Sequence, residues 1–159
     1  MTSANPSAFY EYTKALCQSF LFSSLSKDEL SQISLDDKKL VDILITLAGE
    51  FDRRFSQPST MEQTMRQLDL SEDNLDNIRD VYIEVLNGMF RKLNWGRIVA
   101  MLASLRMLAM YLLKRGRRRD VDDLIESTAM YCDGKLRIWI QRHGGWVSFI
   151  CAIHAPNFG

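Results

Sequence analysis

The 159-residue chain is 47% apolar and 25% charged, with 20 Lys plus Arg against 20 Asp plus Glu. That length suits one domain with a sizeable core. The balanced charge argues against a general affinity for nucleic acid or acidic membranes. Three scattered cysteines, Cys17, Cys132 and Cys151, suit free thiols in a reducing compartment. Met1 to Ser7 has no charged and apolar signal segment, and the chain stops at Gly159 without an apolar tail. Helical spacing recurs from end to end, with few prolines and no alternating strand pattern, so a single all-α domain over residues 1–159 is expected.

The first amphipathic helix spans Phe9 to Leu25, with Phe9, Tyr12, Leu16, Phe20 and Ser23 along one side. Ser26 and Glu29 have capping-box spacing. A second helix runs from Ser34 to Phe55, with Leu40, Leu44, Leu47, Phe51 and Phe55 on one stripe, until Pro58 breaks it. Thr60 to Leu70 is a shorter polar segment. Ser71 opens the next helix, which directs Leu75, Ile78, Tyr82, Val85, Leu86 and Met89 inward and ends near Arg91.

The run Ile98 to Leu113 is apolar on nearly all sides, with only Ser104 and Arg106 clearly polar, and reads as a rod buried in a bundle. Asn94 is placed to cap its first turn, and Gly96 lets another backbone come close. Arg97 is the fork-shaped, permanently charged donor there. Arg106 needs an acidic partner or an exit to solvent. Lys114, Arg115, Arg117, Arg118 and Arg119 close the rod around Gly116, a helix stop, and read first as a solvated corner before Asp120, Asp122 and Asp123, with contact to acidic phospholipid or nucleic acid as the alternative. A further helix covers Val121 to Ile140, with a bend near Gly134. Gly144-Gly145 breaks it, and Trp146 to Ile153 forms a last short helix. The total is seven or eight helices, one of them central.

Two segments then carry a resemblance. Leu93-Asn94-Trp95-Gly96-Arg97-Ile98-Val99-Ala100 resembles the first homology motif of the Bcl-2 apoptosis regulators, and Trp139-Ile140-Gln141-Arg142-His143-Gly144-Gly145-Trp146, continuing to Phe149, resembles the second. They stand in the family's order and at about its separation. The resemblance implies a helical bundle around a buried hairpin, with a surface groove for the amphipathic BH-3 helix of a partner. It places Arg97 opposite an aspartate of that helix, and Asn94, Gly96, Phe51, Phe55, Val85, Met89, Val99, Ala100 and Ile153 in the groove lining.

Departures refine the expectation. In the second helix, the third-motif anchors would be Leu40, Leu44, Leu47 and Phe51. Ala48 and Gly49 stand where the family has a small residue and aspartate, and Glu50 comes one step late, turned about 100° around the helix. A chain with the receptor arginine but without the ligand aspartate looks like a guardian: an anti-apoptotic protein that sequesters BH-3 helices in the cytosol or at the mitochondrial outer membrane. The short linker after the first helix and the missing anchor resemble a virus-encoded relative acting in a host cell. The alternatives are a pore-forming effector that uses the hairpin from Ile98 to Ile140, and a scaffold whose groove is occluded. Exposed Met89 and Phe55 also suit a symmetric homodimer.

Trp95, Trp139 and Trp146 read as packing between helices, and Met101, Met107 and Met110 as core fillers. His143 and His154, with Cys151 three residues from His154, do not make a metal site, and no phosphate loop or nucleophile elbow is present. Neither an enzyme nor a cofactor is expected.

Overall fold

The computed structural model describes residues 7–21, 66, 75–146 and 148. The expected second helix, the polar segment after it and the last short helix beyond Trp146 and Ser148 lie outside the described residues. Among the described residues every regular element is helical. These are α1 (Ala8–Leu21), a 3₁₀ turn (Leu75–Asn77), α2 (Ile78–Met89), α3 (Trp95–Leu113), α4 (Arg118–Tyr131), a π-helical turn (Cys132–Leu136) and α5 (Arg137–Arg142).

Helix α1 starts on Ser7, whose hydroxyl oxygen accepts from the Tyr10 backbone N–H at 3.0 Å and donates to Asp133 at 2.8 Å. One small side chain therefore caps α1 and ties it to the π-helical turn. Leu16 and Phe20 are fully buried as the spacing predicts, and Phe9 and Tyr12 are half-buried. The buried surface is broader than the expected stripe, because Thr13, Ala15, Cys17, Ser19 and Leu21 are also buried. Helix α2 buries Ile78, Tyr82 and Leu86, at the i, i+4, i+8 spacing of one helix face. The Tyr82 hydroxyl lies 2.7 Å from Thr128 Oγ1, and Thr128 spends its one proton on the Leu124 carbonyl. Tyr82 is therefore the donor, and this buried polar pair is satisfied.

Helix α3 has the all-round apolar character expected of the rod, burying residues from Ile98 to Leu112 in successive turns. Helix α4 packs on α1, α2 and α3 together, so among the described elements α3 and α4 share the middle of the bundle. Gly116 stops α3 as predicted. At φ +69° it allows the Gly116 N–H to reach the Leu113 carbonyl and the Arg117 N–H to reach the Leu112 carbonyl. This double closure is the Schellman motif.

Arg106 does not exit to solvent. It is 5% exposed, and its Nη1 donates to the Phe20 carbonyl at 2.6 Å and the Leu21 carbonyl at 3.0 Å, with the guanidinium over the Phe20 ring. These two bonds tie α3 to the backbone of α1 at Phe20 and Leu21 and supply the buried cation with hydrogen-bond acceptors.

Helix α4 begins at Arg118, three residues earlier than expected. Cations in a first turn oppose the dipole. Here Arg117 pairs with Asp76 and Asp120, and Arg118 with Asp122, which offsets that cost. Near Gly134, where a bend is expected, the helical hydrogen bonding changes to the π-helical turn Cys132–Leu136.

Gly144 and Gly145 end the segment with φ +96° and +74°. A Cβ on Gly144 would lie 1.8 Å from Ser148 Oγ and 2.8 Å from Ser148 Cβ, whereas one on Gly116 would meet nothing within 4 Å. Gly144→Ala is expected to destabilise the fold by about 2–3 kcal/mol, and Gly116→Ala by about 1 kcal/mol. Urea denaturation followed by circular dichroism checks the order.

Candidate functional site

The site forms where α2 ends and α3 begins. Asn94 is extended, and its side-chain oxygen accepts from the Arg97 N–H at 2.8 Å, which is the predicted cap. The cap fixes the first turn of α3 and with it the direction of Arg97. The Arg97 side chain is half-buried and reaches back to the end of α2, where Nη1 donates to the Met89 carbonyl at 2.7 Å. That carbonyl belongs to the last residue of α2, so the cation also meets the negative end of a helix dipole. A guanidinium has five donors, and among the described residues this bond engages one of them. The remaining edge of the fork has the geometry to take a carboxylate.

The expected site residues fall into three groups. Met89, Asn94 and Arg97 are joined by the two hydrogen bonds above. Gly96 and Ala100 are half-buried on α3, and Val85 is half-buried one turn before Met89, while Val99 is buried in the core. Phe51, Phe55 and Ile153 lie outside the described residues. The Met89 carbonyl was not legible beforehand, because a backbone acceptor leaves no mark in a sequence.

The second motif packs beneath the first. Trp95 meets Trp139 edge to face at 5.0 Å between ring centroids, and Trp146 lies 6.4 Å from Trp95. Trp146 is buried, stacks on Phe9 at 6.3 Å, and donates its Nε1 proton to Thr13 Oγ1 at 2.9 Å. The three tryptophans thus join the start of α3 to α5 and to α1, as packing aromatics rather than recognition aromatics.

Of the groups considered for catalysis, His143 lies at the surface and Cys17 and Cys132 are fully buried. His143 is exposed, stacks on Trp139 at 4.0 Å, and has Nδ1 2.7 Å from the Trp139 carbonyl, which requires the proton on that nitrogen. Burial pushes the Cys17 thiol up to about 12, and burial also raises Cys132, which lies 3.9 Å from the Met101 sulfur. A protonated buried thiol is a poor nucleophile. Cys151 and His154 lie outside the described residues.

These shifts have a consequence for stability. The folded chain keeps thiol protons that the unfolded chain releases near pH 8.5. Their contribution is complete below that pH and is lost as pH rises toward 12. The urea midpoint is expected to fall between pH 8.5 and 10.5, and to fall less steeply in Cys17→Ala.

The Bcl-2 family model, "Apoptosis regulator proteins, Bcl-2 family", matches residues 44–146. Schistosome BCL-2, solved with ABT-737, is 35% identical, covers 91% of this chain and 97% of its own, and superposes with a TM-score of 0.68. Two more distant structures share the fold: Trichoplax adhaerens trBcl-2L2 bound to trBak BH3, at 22% identity and TM-score 0.71, and chicken BOK, at 20% and 0.70. They cover 92% and 95% of this chain and 99% and 100% of their own. Among curated relatives, zebrafish Bcl-2-related ovarian killer protein homolog B is 24% identical over 91% of this chain and 73% of its own length. Human Bcl-2-related ovarian killer protein is 24% identical over 74% of this chain and 55% of its own. The fold is thus a Bcl-2-type helical bundle with the first motif at the α2–α3 junction. The chain belongs to the Bcl-2 family of apoptosis regulators. These relatives are animal proteins, so the expectation of a viral source finds no support among them.

Proposed function

We propose that this chain is an anti-apoptotic receptor that sequesters the BH-3 helix of pro-apoptotic relatives, with Arg97 as the cation that pairs with the ligand's aspartate. The observation that carries this reading is the half-buried Arg97 guanidinium, aimed by the Asn94 cap and held to the Met89 carbonyl, with no other hydrogen bond to it among the described residues. Schistosome BCL-2, whose structure contains the small molecule ABT-737, lends support at 35% identity. In this reading Val85, Met89, Gly96 and Ala100, with Phe51, Phe55 and Ile153 from elsewhere in the chain, provide the apolar lining, Asn94 stands at its polar edge, and Val99 backs it from the core. Apolar anchors of the ligand supply most of the affinity, and the ion pair sets register and rejects helices without the acid. The chain acts in the cytosol or at the mitochondrial outer membrane, without a cofactor and without catalysis.

A second reading is favoured by two observations. The zebrafish and human relatives are named killer proteins, and α3 is long and apolar enough by composition to cross a bilayer, a test that a buried core helix also passes. In that reading the chain is a pore-forming effector. Release of dye from vesicles with the lipid composition of the mitochondrial outer membrane separates the two. The receptor leaves vesicles intact on its own and protects them from an added effector. Release by the purified chain alone, at submicromolar concentration, would establish the effector instead.

A further inference from the structure

Two large apolar side chains stand out on the described surface of the segment from α4 to α5: Met130, 51% exposed, and Ile138, 63% exposed. Between them Gly134 is exposed in the π-helical turn, and a Cβ there would meet no atom within 4 Å. The neighbours of Gly134 are fastened on either side. Asp133 is bound by Ser7 of α1 and Arg137, and Lys135 donates to Asn87 of α2 at 3.4 Å and lies over the Tyr131 ring. These ties leave position 134 facing outward. The line continues to exposed Glu126 at one end and exposed Arg142 at the other, and neither forms a salt bridge among the described residues.

The pattern has a symmetry. Counted from Gly134, Met130 and Ile138 stand four residues to either side, and Glu126 and Arg142 eight. Laid antiparallel on a second copy, the line is complementary to itself. Gly134 faces Gly134, so the two backbones can approach closely, and each Met130 packs beside the other copy's Ile138. Each Glu126 meets the other copy's Arg142. Opposite charges at the ends of an apolar centre are what a twofold contact requires, since every pair is made twice. We propose that the Glu126–Arg142 face is a self-association surface, an antiparallel contact between two copies of this chain centred on Gly134. It lies on other residues than Met89 and Phe55, and it does not depend on the reading of Arg97.

A contact of this size is at the transient end of the range, about 1,000 Å² in total, so a dissociation constant of tens to hundreds of micromolar is expected. Sedimentation velocity of the purified chain from about 10 µM to 1 mM, in low salt, reads it. Ile138→Ser is expected to leave a monomer throughout. Gly134→Leu is expected to do the same with unchanged circular dichroism, because the added side chain has open space in the monomer. Glu126→Lys and Arg142→Glu each weaken association about tenfold, and the two together restore it to within about threefold, because the exchanged charges again face each other. A chain that stays monomeric to 1 mM overturns the proposal. So does a dimer that survives Gly134→Leu, or a double charge swap that weakens association as much as the two single changes combined.

Discussion

Arg97→Ala is expected to weaken binding of a BH-3 peptide by about 30- to 1,000-fold while leaving the fold nearly as stable. Truncating one member of a partly buried, hydrogen-bonded charge pair commonly costs a complex about 2–4 kcal/mol, because the partner's carboxylate loses its counter-charge in a dehydrated place. The free protein loses much less. Arg97 is half-buried, and its one described side-chain contact is a single hydrogen bond to the Met89 carbonyl. That loss is expected to cost about 1 kcal/mol. Arg97→Lys is expected to recover only a small part of the affinity. An ammonium is a point charge without a planar fork, and it cannot hold the Met89 carbonyl with one edge while presenting two parallel donors to a carboxylate with the other. Isothermal titration checks the affinity, and urea denaturation the stability.

Arg106→Ala is expected to show the reverse. Its guanidinium is buried and bridges from α3 to the last two carbonyls of α1. Removing it leaves a cavity beside Phe20 and breaks both hydrogen bonds, for an expected loss of about 3–4 kcal/mol, a large part of the stability of an ordinary domain. Arg106→Met keeps most of the packing volume and loses only the hydrogen bonds and charge, so about 2 kcal/mol is expected. Whatever fraction remains folded is expected to bind the peptide with unchanged affinity. The two arginines lie nine positions apart on one helix, and they separate recognition from folding.

The sequence spoke clearly wherever a local rule was strong. Asn94 before an apolar run predicted a cap, Gly116 inside a cationic corner predicted a stop, and both are present with their hydrogen bonds. The all-round apolar character of residues 98–113 predicted a rod buried on most of its faces, and α3 is one. The three tryptophans read as packing between helices, and they do pack on one another, joining the two motifs. The failures have a common physical cause, which is that the partner was backbone or distant in sequence. Arg106 found carbonyls that no residue type advertises, and Arg97 found another at Met89. The tie from Ser7 to Asp133 spans 126 positions, and the bond from Trp146 to Thr13 spans 133. The glycine at 134 marked an irregularity in the helix, but nothing in the sequence told a π-helical turn from a bend, and the side-chain ties beside it, Ser7 to Asp133 and Lys135 to Asn87, join residues far apart in the chain. The viral reading rested on a short linker and on where the chain stops, and neither speaks to origin.

The most direct measurement is a four-cornered titration: the wild-type chain and Arg97→Ala, each against a BH-3 peptide and its Asp→Ala version. A direct ion pair predicts that either change alone weakens binding strongly and that the second adds little, with a coupling of about 1.5 kcal/mol or more. Equal binding of the two peptides by the wild-type chain, or losses that simply add, would contradict the assignment of Arg97 as the residue that reads the ligand's acid.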